Sequence, residues 1–432
     1  MVKDELHVVH ARAAGLDVHK QHITATVRLC AHNGGEPTCE TRTFGALAPG
    51  LTELVAWLTA HGVEAAAMEA TGVYWQAPWE ALTDTGIETQ LLNARQVKQL
   101  RGRKTDVEDS RWLARVCQFG LGRPSFIPSR QFRDLRCVSR HRRSLVAQRS
   151  RVRNQVQKVL DRSGVRIGAV LSDIFGANGR RVLDGLVGRL DREVILASLS
   201  GHVRRKADQL GDALRLELRE TDRMLLTDLL DEHDTLTRRV SEFDRSIDQA
   251  LASYAEPCRL LETIPGIDRV SACAILIEAG PDMAVFGAPR RLAAWAGLCP
   301  GNNESAGKRR SGRGRRGNKT LRAVLVECAH AAARTHNCQF RAYHKALMVR
   351  RGYKRAISAT AHKLLRSVFA VLRDRRPYRD PDTDYEALLV RRNAPRWLRK
   401  LREFDILVRN DDGTVSVRWP SLHNPEESVA VN

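Results

Sequence analysis

The sequence has no Cys-x-x-Cys pair and no cysteine and histidine spacing suited to zinc, although it holds 9 cysteines. Zinc-ribbon and zinc-finger readings are therefore excluded. Cys30, Cys117, Cys273 and Cys328 sit among apolar neighbours, as reduced, buried thiols of a cytoplasmic protein do. No apolar run approaches the roughly 20 residues that cross a bilayer. Lys3, Asp4 and Glu5 are followed by no hydrophobic block, so the start is not a signal peptide. What the chain has in excess is positive charge, with Lys+Arg 71 against Asp+Glu 50 and a net charge of +21. Solubility needs far less, and the arginines are clustered, so the expected partner is a polyanion, nucleic acid before any membrane. At 432 residues the chain should form two or three domains.

Taken in order, residues 12–30 read as a hairpin. Ala13 to Asp17 is a short apolar run ending in an acid, and Ile23 to Leu29 alternates with period two. Cys39 to Phe44 supplies a third strand, and Pro49-Gly50 precedes Leu51, Leu54, Val55 and Leu58 at helical spacing. Val63 to Met68 is a buried strand that again ends in an acid, Glu69, before a turn at Thr71-Gly72. Tyr74 to Leu82 reads as helix, Ile87 to Leu92 as strand and Arg95 to Leu100 as helix. Three antiparallel strands followed by alternating helices and strands match a mixed sheet of the ribonuclease H type.

A helix opening near Lys104 carries Asp106 and Asp109 one turn apart, ahead of Trp112, Leu113 and Val116. Asp17 and Glu69 each end a strand, where neighbouring strand ends converge. Four such acids repel one another unless cations bind, and two Mg²⁺ ions could activate a nucleophile and stabilise a leaving oxygen of a phosphodiester. Singly, each has a plainer reading: Asp106 as a helix N-cap with Asp109 at N3, Asp17 as the start of a turn, Glu69 as surface. Jointly, in so basic a chain, they point to a metal. His19, His22 and His61 lie nearby, but a hard oxygen-rich site does not need them.

Gly15-Leu-Asp-Val-His-Lys20, Met68-Glu-Ala-Thr-Gly-Val-Tyr74 and Lys104-Thr-Asp-Val-Glu-Asp109 resemble, in order and spacing, the motifs of the DEDD-type insertion-sequence transposases, relatives of the Piv and MooV DNA invertases. The resemblance implies a RuvC-like amino-terminal domain whose four acids are Asp17, Glu69, Asp106 and Asp109. Glu108 matches no motif acid.

After Pro124 and Pro128, residues 130–162 are rich in Arg, with Val138, Leu145, Val152 and Val159 spaced by seven. A second long helix is expected from about 212 to 252, carrying Leu225, Leu229, Leu236, Val240, Phe243, Ile247 and Leu251. The two should pair as an antiparallel coiled coil with 163–208 at its tip. The outer face with Arg140, Arg142, Arg143, Arg149, Arg151 and Arg153 is not mixed in sign, and phosphate contact is expected there. Ile264-Pro-Gly266-Ile resembles the turn of a helix-hairpin-helix, which holds phosphate on free backbone N–H groups, though such turns also simply punctuate helices. Phe286 to Leu298 reads as a further helix.

Residues 299–322 form a Gly-rich basic stretch with seven cations, Lys308, Arg309, Arg310, Arg313, Arg315, Arg316 and Lys319, closing on a helix that carries Arg322. Composition alone makes it a disordered nucleic-acid-binding loop with incidental serines. The stretch resembles the carboxy-terminal domain of the same transposases, which implies that Ser305 is a nucleophile, with Ser311 as rival because Ala306 directly follows Ser305 and the Gly312 to Gly317 spacing is short. His330 to Val371 is expected to be helical, with Tyr343, Lys345, Arg350, Arg351 and Lys354 touching DNA or RNA. Beyond Arg375 lies a Pro-interrupted tail that Trp397 and Leu398 could dock.

The expected architecture is thus α/β plus all-α. Residues 1–125 form the RuvC-like domain, 126–256 the coiled-coil linker, 257–378 the serine domain with its helix-hairpin-helix-like segment, and 379–432 a tail. The resemblance implies a cytoplasmic, nucleoid-associated DNA recombinase that works with Mg²⁺, two ions per site, as a homo-oligomer (dimer or tetramer). It further implies a structured bridge RNA that pairs with both the element ends and the target, a phosphoserine linkage and a Holliday junction. The competing readings are a hydrolytic RuvC-like junction nuclease and a non-catalytic nucleic-acid-binding protein.

Overall fold

The computed structural model describes residues 7–30, 36–70, 72–93, 105–299, 303–305, 308–311, 317–381, 385–410 and 414–417. They fall into two compact units, Met1–Ile127 and Pro128–Asn432. The helix expected at Arg95 to Leu100 lies outside the described residues.

In the first unit β1 (Arg12–Val18), β2 (His22–Leu29), β3 (Thr38–Gly45), β4 (Ala65–Glu69) and β5 (Glu88–Leu92) form one sheet in the order β3-β2-β1-β4-β5. The first three strands are antiparallel to one another, while β4 runs parallel to both β1 and β5. This is the mixed sheet that the acid-terminated strands suggested, and it has the arrangement of a ribonuclease H or RuvC fold. Period-two alternation divides the core. Ala14, Leu16, Val18, Ala66 and Met68 pack with Leu54, Trp57 and Leu58 of α1 (Ala48–Ala60) and with Leu82 of α2 (Gln76–Thr83). Ala13, Ala65 and Ala67, on the opposite face, pack with Leu113, Val116 and Cys117 of α3 (Asp106–Gln118).

Gly15 sets how closely α3 can lie on β1. A Cβ there would stand 2.1 Å from the Ala114 nitrogen and 2.2 Å from the Ser110 oxygen, both helix backbone atoms. The buried Ser110 and Thr26 hydroxyls, 2.8 Å apart, fix the rotation of the helix on the sheet. Gly15→Ala is therefore expected to destabilise the protein by about 3 kcal/mol or more, measured by chemical denaturation of the first unit's transition.

The second unit is mostly helical. α4 (Arg130–Arg162) and α8 (Glu220–Ala250) run in opposite senses, because Arg142 bonds Asp244, Arg149 bonds Thr237 and Arg162 bonds Asp222. Between them α5 (Ala177–Val187), α6 (Arg192–Ala197) and α7 (Ala207–Ala213) close a small core around Leu183, Ile195 and Leu210. The second long helix starts at Glu220, not 212, and its buried stripe is shifted from the expected one. Leu226 and Leu230 are buried while Leu225 is exposed, because this end also packs on the small core. On α4, Leu145 and Val152 are buried and Val138 and Val159 only half-buried.

The single-sign Arg face does not persist in three dimensions. Arg140 pairs with Glu278, Arg142 with Asp244, Arg143 with Glu327 and Arg153 with Asp173. The acids come from distant parts of the chain, so the mixture of signs is invisible along α4 itself.

The rest of the unit comprises α9 (Ala255–Glu262), α10 (Arg269–Ala279), α11 (Pro289–Trp295), the strand pair β6 (Asn303–Ser305) and β7 (Lys308–Ser311), α12 (Lys319–Arg334), α13 (Gln339–Arg351), α14 (Tyr353–Asp374), α15 (Tyr385–Glu403) and the strand pair β8 (Leu407–Arg409) and β9 (Val415–Val417). The single helix expected over 330–371 is broken at Asn337 and Gly352, both with positive φ. The helix expected from Phe286 contracts to α11. At Gly266 φ is +86°, and a Cβ would meet the Ala332 nitrogen and the Cys328 oxygen at 2.5 Å, so the turn is pressed against α12. Asp268 caps α10 by accepting from the Ser271 N–H at 2.8 Å. A carboxylate thus already occupies the helix start where a helix-hairpin-helix would receive phosphate.

Glu278 ties these parts together. It is 0% exposed, accepts two hydrogen bonds from Arg140 at 2.8 and 2.9 Å, pairs with Arg136, and accepts from the Asn318 amide at 2.6 Å. Burial lowers Arg136 to about 10, against the pull of Glu278. Glu278→Ala leaves two guanidinium groups without their partner and should cost about 3–5 kcal/mol. Arg143→Ala, at the exposed pair with Glu327, should stay within about 1 kcal/mol in the same denaturation experiment.

Candidate active site

Strand alternation sends Asp17 and Glu69 to the α3 side of the sheet, since Ala13, Ala65 and Ala67 on that side share their parity. The parallel register pairs Leu16 with Met68, so the next residues, Asp17 and Glu69, stand at adjoining strand ends. The same parity applies to His22, which opens β2 on the side of the buried Thr24 and Thr26.

Asp106 and Asp109 enter from the first turn of α3. The N-cap is Thr105, not Asp106: its hydroxyl accepts from the Glu108 N–H at 3.2 Å. Because Thr105 does the capping, the Asp106 carboxylate is turned to other partners. Its two oxygens lie 3.2 Å from His22 Nε2 and 3.5 Å from His19 Nε2, and His19 Nε2 lies 3.0 Å from the Asp17 carboxylate. The two imidazoles stack with centroids 4.9 Å apart. Asp106 and both histidines are near half-exposed, so the cluster is open to a large substrate.

The charges respond to this crowding. Burial lifts the Asp17 carboxyl above its ordinary value; His19 opposes the lift, and the charges of Asp106 and Asp109 add to it. Desolvation works to lower His19, but the Asp17 hydrogen bond and charge outweigh it and leave the imidazole raised. The His22 hydrogen bond holds Asp106 below the usual carboxylate range. The structure thus brings Asp17, Asp106 and Asp109 within electrostatic reach and sets Glu69 on the neighbouring strand end.

The chemistry of the donors fits a divalent cation. Donor atoms of His19, His22 and Asp106 all lie within 4.8 Å of one another. The contacts of 3.0 to 3.5 Å between imidazole and carboxylate are hydrogen bonds and ion pairs that hold these donors together. The histidines were set aside in the sequence reading. The β1–β2 register, which pairs Asp17 with Thr24 and Val18 with Ile23, is the signal that would have placed His22 beside Asp17.

In the second unit, the start of the basic stretch is ordered as a β-hairpin rather than a loop. Its register pairs Ser305 with Lys308 and Asn303 with Ser311, with an irregularity at Asn303/Glu304. Arg313, Arg315 and Arg316 lie outside the described residues, and Lys308, Arg309 and Arg310 are placed by backbone alone. Lys319 and Arg322 are exposed on the first turn of α12. The stretch closes on itself: a Cβ at Gly317 would stand 2.4 Å from the Gly297 nitrogen, and the Asn318 N–H donates to the Trp295 carbonyl at 2.9 Å.

Two separate stretches of the chain match known proteins, the first of which runs through β1 to β5 and on to the end of α4. Residues 14–164 match the profile of the DEDD transposases of the IS110 type, described as "Transposase". Residues 258–345 match a second profile, "Transposase IS116/IS110/IS902 family", and the two together take in more than half of the chain. The chain belongs to the IS110-type transposases. The transposase is 26% identical over 321 residues to the "Transposase for insertion sequence element IS1111A" of Coxiella burnetii, covering 72% of this chain and 78% of that one. It is 29% identical over 276 residues to the "Probable family 20 transposase" of Pseudomonas aeruginosa, covering 62% and 71%. A shorter match, 35% over 106 residues, is to the "Transposase for insertion sequence element IS1328" of Yersinia enterocolitica, covering 24% and 31%. This transposase has, among the described residues, no helix long and apolar enough to cross a membrane.

If the cluster binds a cation, Mn²⁺ or Mg²⁺ should raise the melting temperature of the transposase. An ion at a hundred times its Kd adds about 2.7 kcal/mol of stability. Asp106→Ala should abolish the shift in a thermal titration.

Proposed function

We propose that this transposase mobilises an insertion sequence by cutting DNA strands at Asp17, Glu69, Asp106 and Asp109, with two Mg²⁺ ions as cofactor. The observation that carries the reading is the convergence of Asp106 on Asp17 through the shared imidazole of His19. Magnesium bound there would offset the burial that chiefly raises Asp17 and the smaller repulsion from Asp106 and Asp109, and would polarise the scissile phosphate. The sheet fixes Asp17 and Glu69, α3 fixes Asp106 and Asp109, and His19 and His22 orient two of the carboxylates by hydrogen bonding.

Hydrolysis, with water as the nucleophile, is the reading that the described side chains favour. A second reading, attack by Ser305, is favoured by the profile match over 258–345 and by the hairpin that holds Ser305 opposite Lys308. In that reading the serine Oγ–P bond forms as a P–O bond of the strand breaks, the serine proton passes to solvent and the departing oxygen takes one from solvent to become a free hydroxyl, and exchange proceeds through a Holliday junction. Ser311 is the rival nucleophile. The finer assignments go with it: a bridge RNA as guide, a dimer or tetramer, and the long helices as a coiled-coil spacer. Nucleic-acid contacts fall to Lys308, Arg309, Arg310, Arg313, Arg315, Arg316, Lys319 and Arg322. Arg142, Arg143 and Arg153 would have to exchange a carboxylate for a phosphate, whereas Arg149 donates to the Thr237 hydroxyl.

Labelled DNA and a denaturing gel separate the readings. Asp106→Ala should lower Mg²⁺-dependent cleavage by at least about a hundredfold. Hydrolysis predicts free phosphate ends; a protein–DNA adduct that disappears in Ser305→Ala would replace water by serine. Cleavage at the wild-type rate in Asp106→Ala would sink the site itself.

A further inference from the structure

The second matched region ends at residue 345, and α15 lies beyond it. This helix packs on α13, and together with α14 they enclose a cleft of about 600 Å³, within the range of sites that hold compact organic ligands. Two aromatic rings, Tyr343 and Trp397, line it together with the cations Arg350, Lys363, Arg392 and Arg396, and its lining includes no carboxylate. The Lys363 ammonium sits 4.8 Å from the centre of the Tyr343 ring and so occupies one of its faces. Trp397, 45% exposed at the cleft, is left as the broad apolar platform. Lys363 is held below its ordinary value first by burial, which marks this wall of the cleft as partly withdrawn from water.

We infer that this cleft binds an unpaired nucleotide of a single-stranded nucleic acid, its base stacked on Trp397 and its phosphates held by Arg350, Arg392 and Arg396. An apolar face set among cations and two neutral amides, Gln339 and Asn393, with no carboxylate in the lining, matches a flat base joined to anions, and both halves of that match are needed. A paired base cannot reach the indole without leaving its stack, so the cleft discriminates single strands from duplex. An acidic peptide satisfies the cations but makes no use of the ring. The residues come from α13 and α14 on one side and α15 on the other, so the tail helix completes the site rather than decorating the surface.

The inference rests on the reading of the chain as a nucleic-acid enzyme but not on chemistry at Asp17 or Asp106. Binding is measured without metal, so it fails independently of cleavage. Fluorescence anisotropy at one fixed salt concentration would compare a labelled oligothymidylate, an oligouridylate of equal length and a duplex of that length. Trp397→Ala is expected to weaken single-strand binding about tenfold and leave duplex binding unchanged. Trp397→Phe should retain most of the affinity, and Arg396→Gln should weaken binding of both oligomers while preserving the protein's fold. The larger loss between oligothymidylate and oligouridylate identifies DNA or RNA as the source of the strand. Equal losses for duplex and single strand in Trp397→Ala, no loss at all, or competition by polyglutamate as effective as by the oligomers would overturn the proposal.

Discussion

The acid cluster depends on one contact without side chains, the backbone of α3 laid directly on Gly15 of β1. Two acids come from strand ends and two from a helix, and they meet only because that helix lies closer to the sheet than a methyl group would permit. Thr26 and Ser110 then fix which way the helix faces, and Thr105 rather than Asp106 closes its first turn. Position, rotation and capping are separate devices, and with Thr105 as the cap the Asp106 carboxylate is left to His19 and His22.

The second unit solves a different problem. Its longest helix carries arginine after arginine, and burying any part of it requires acids from elsewhere. Glu278 meets that need at the centre, where one carboxylate receives Arg136, Arg140 and Asn318. Removing both charges of such a pair can be harmless, but removing one cannot. Much of the arginine on α4 is already matched by acids from other elements, so the excess of +21 cannot be read off this helix alone.

The sheet was legible because alternation and terminal acids are local signals: Ala13 to Asp17 and Val63 to Glu69 each carry both. The start of α3 was legible to within one residue, and the cap was misassigned because Thr105 and Asp106 are both good caps. The histidines were not legible singly, since His22 meets Asp106 across 84 residues. The same holds for the partners of Arg140 and Arg143, which lie 138 and 184 residues away. Leu225 was misplaced for another reason. A heptad pattern assumes one neighbour, and this end of α8 has two.

The closed neck at Gly297 and Gly317 bears on the serine hairpin mounted above it. A chain held at both ends can extend to only about half its contour, here on the order of 30 Å from the neck. Any excursion of Ser305 is therefore bounded by a leash of fixed length. The leash is fastened beside Asn318, which bonds the buried Glu278 and so joins the carboxylate that also holds Arg140 of the long helix.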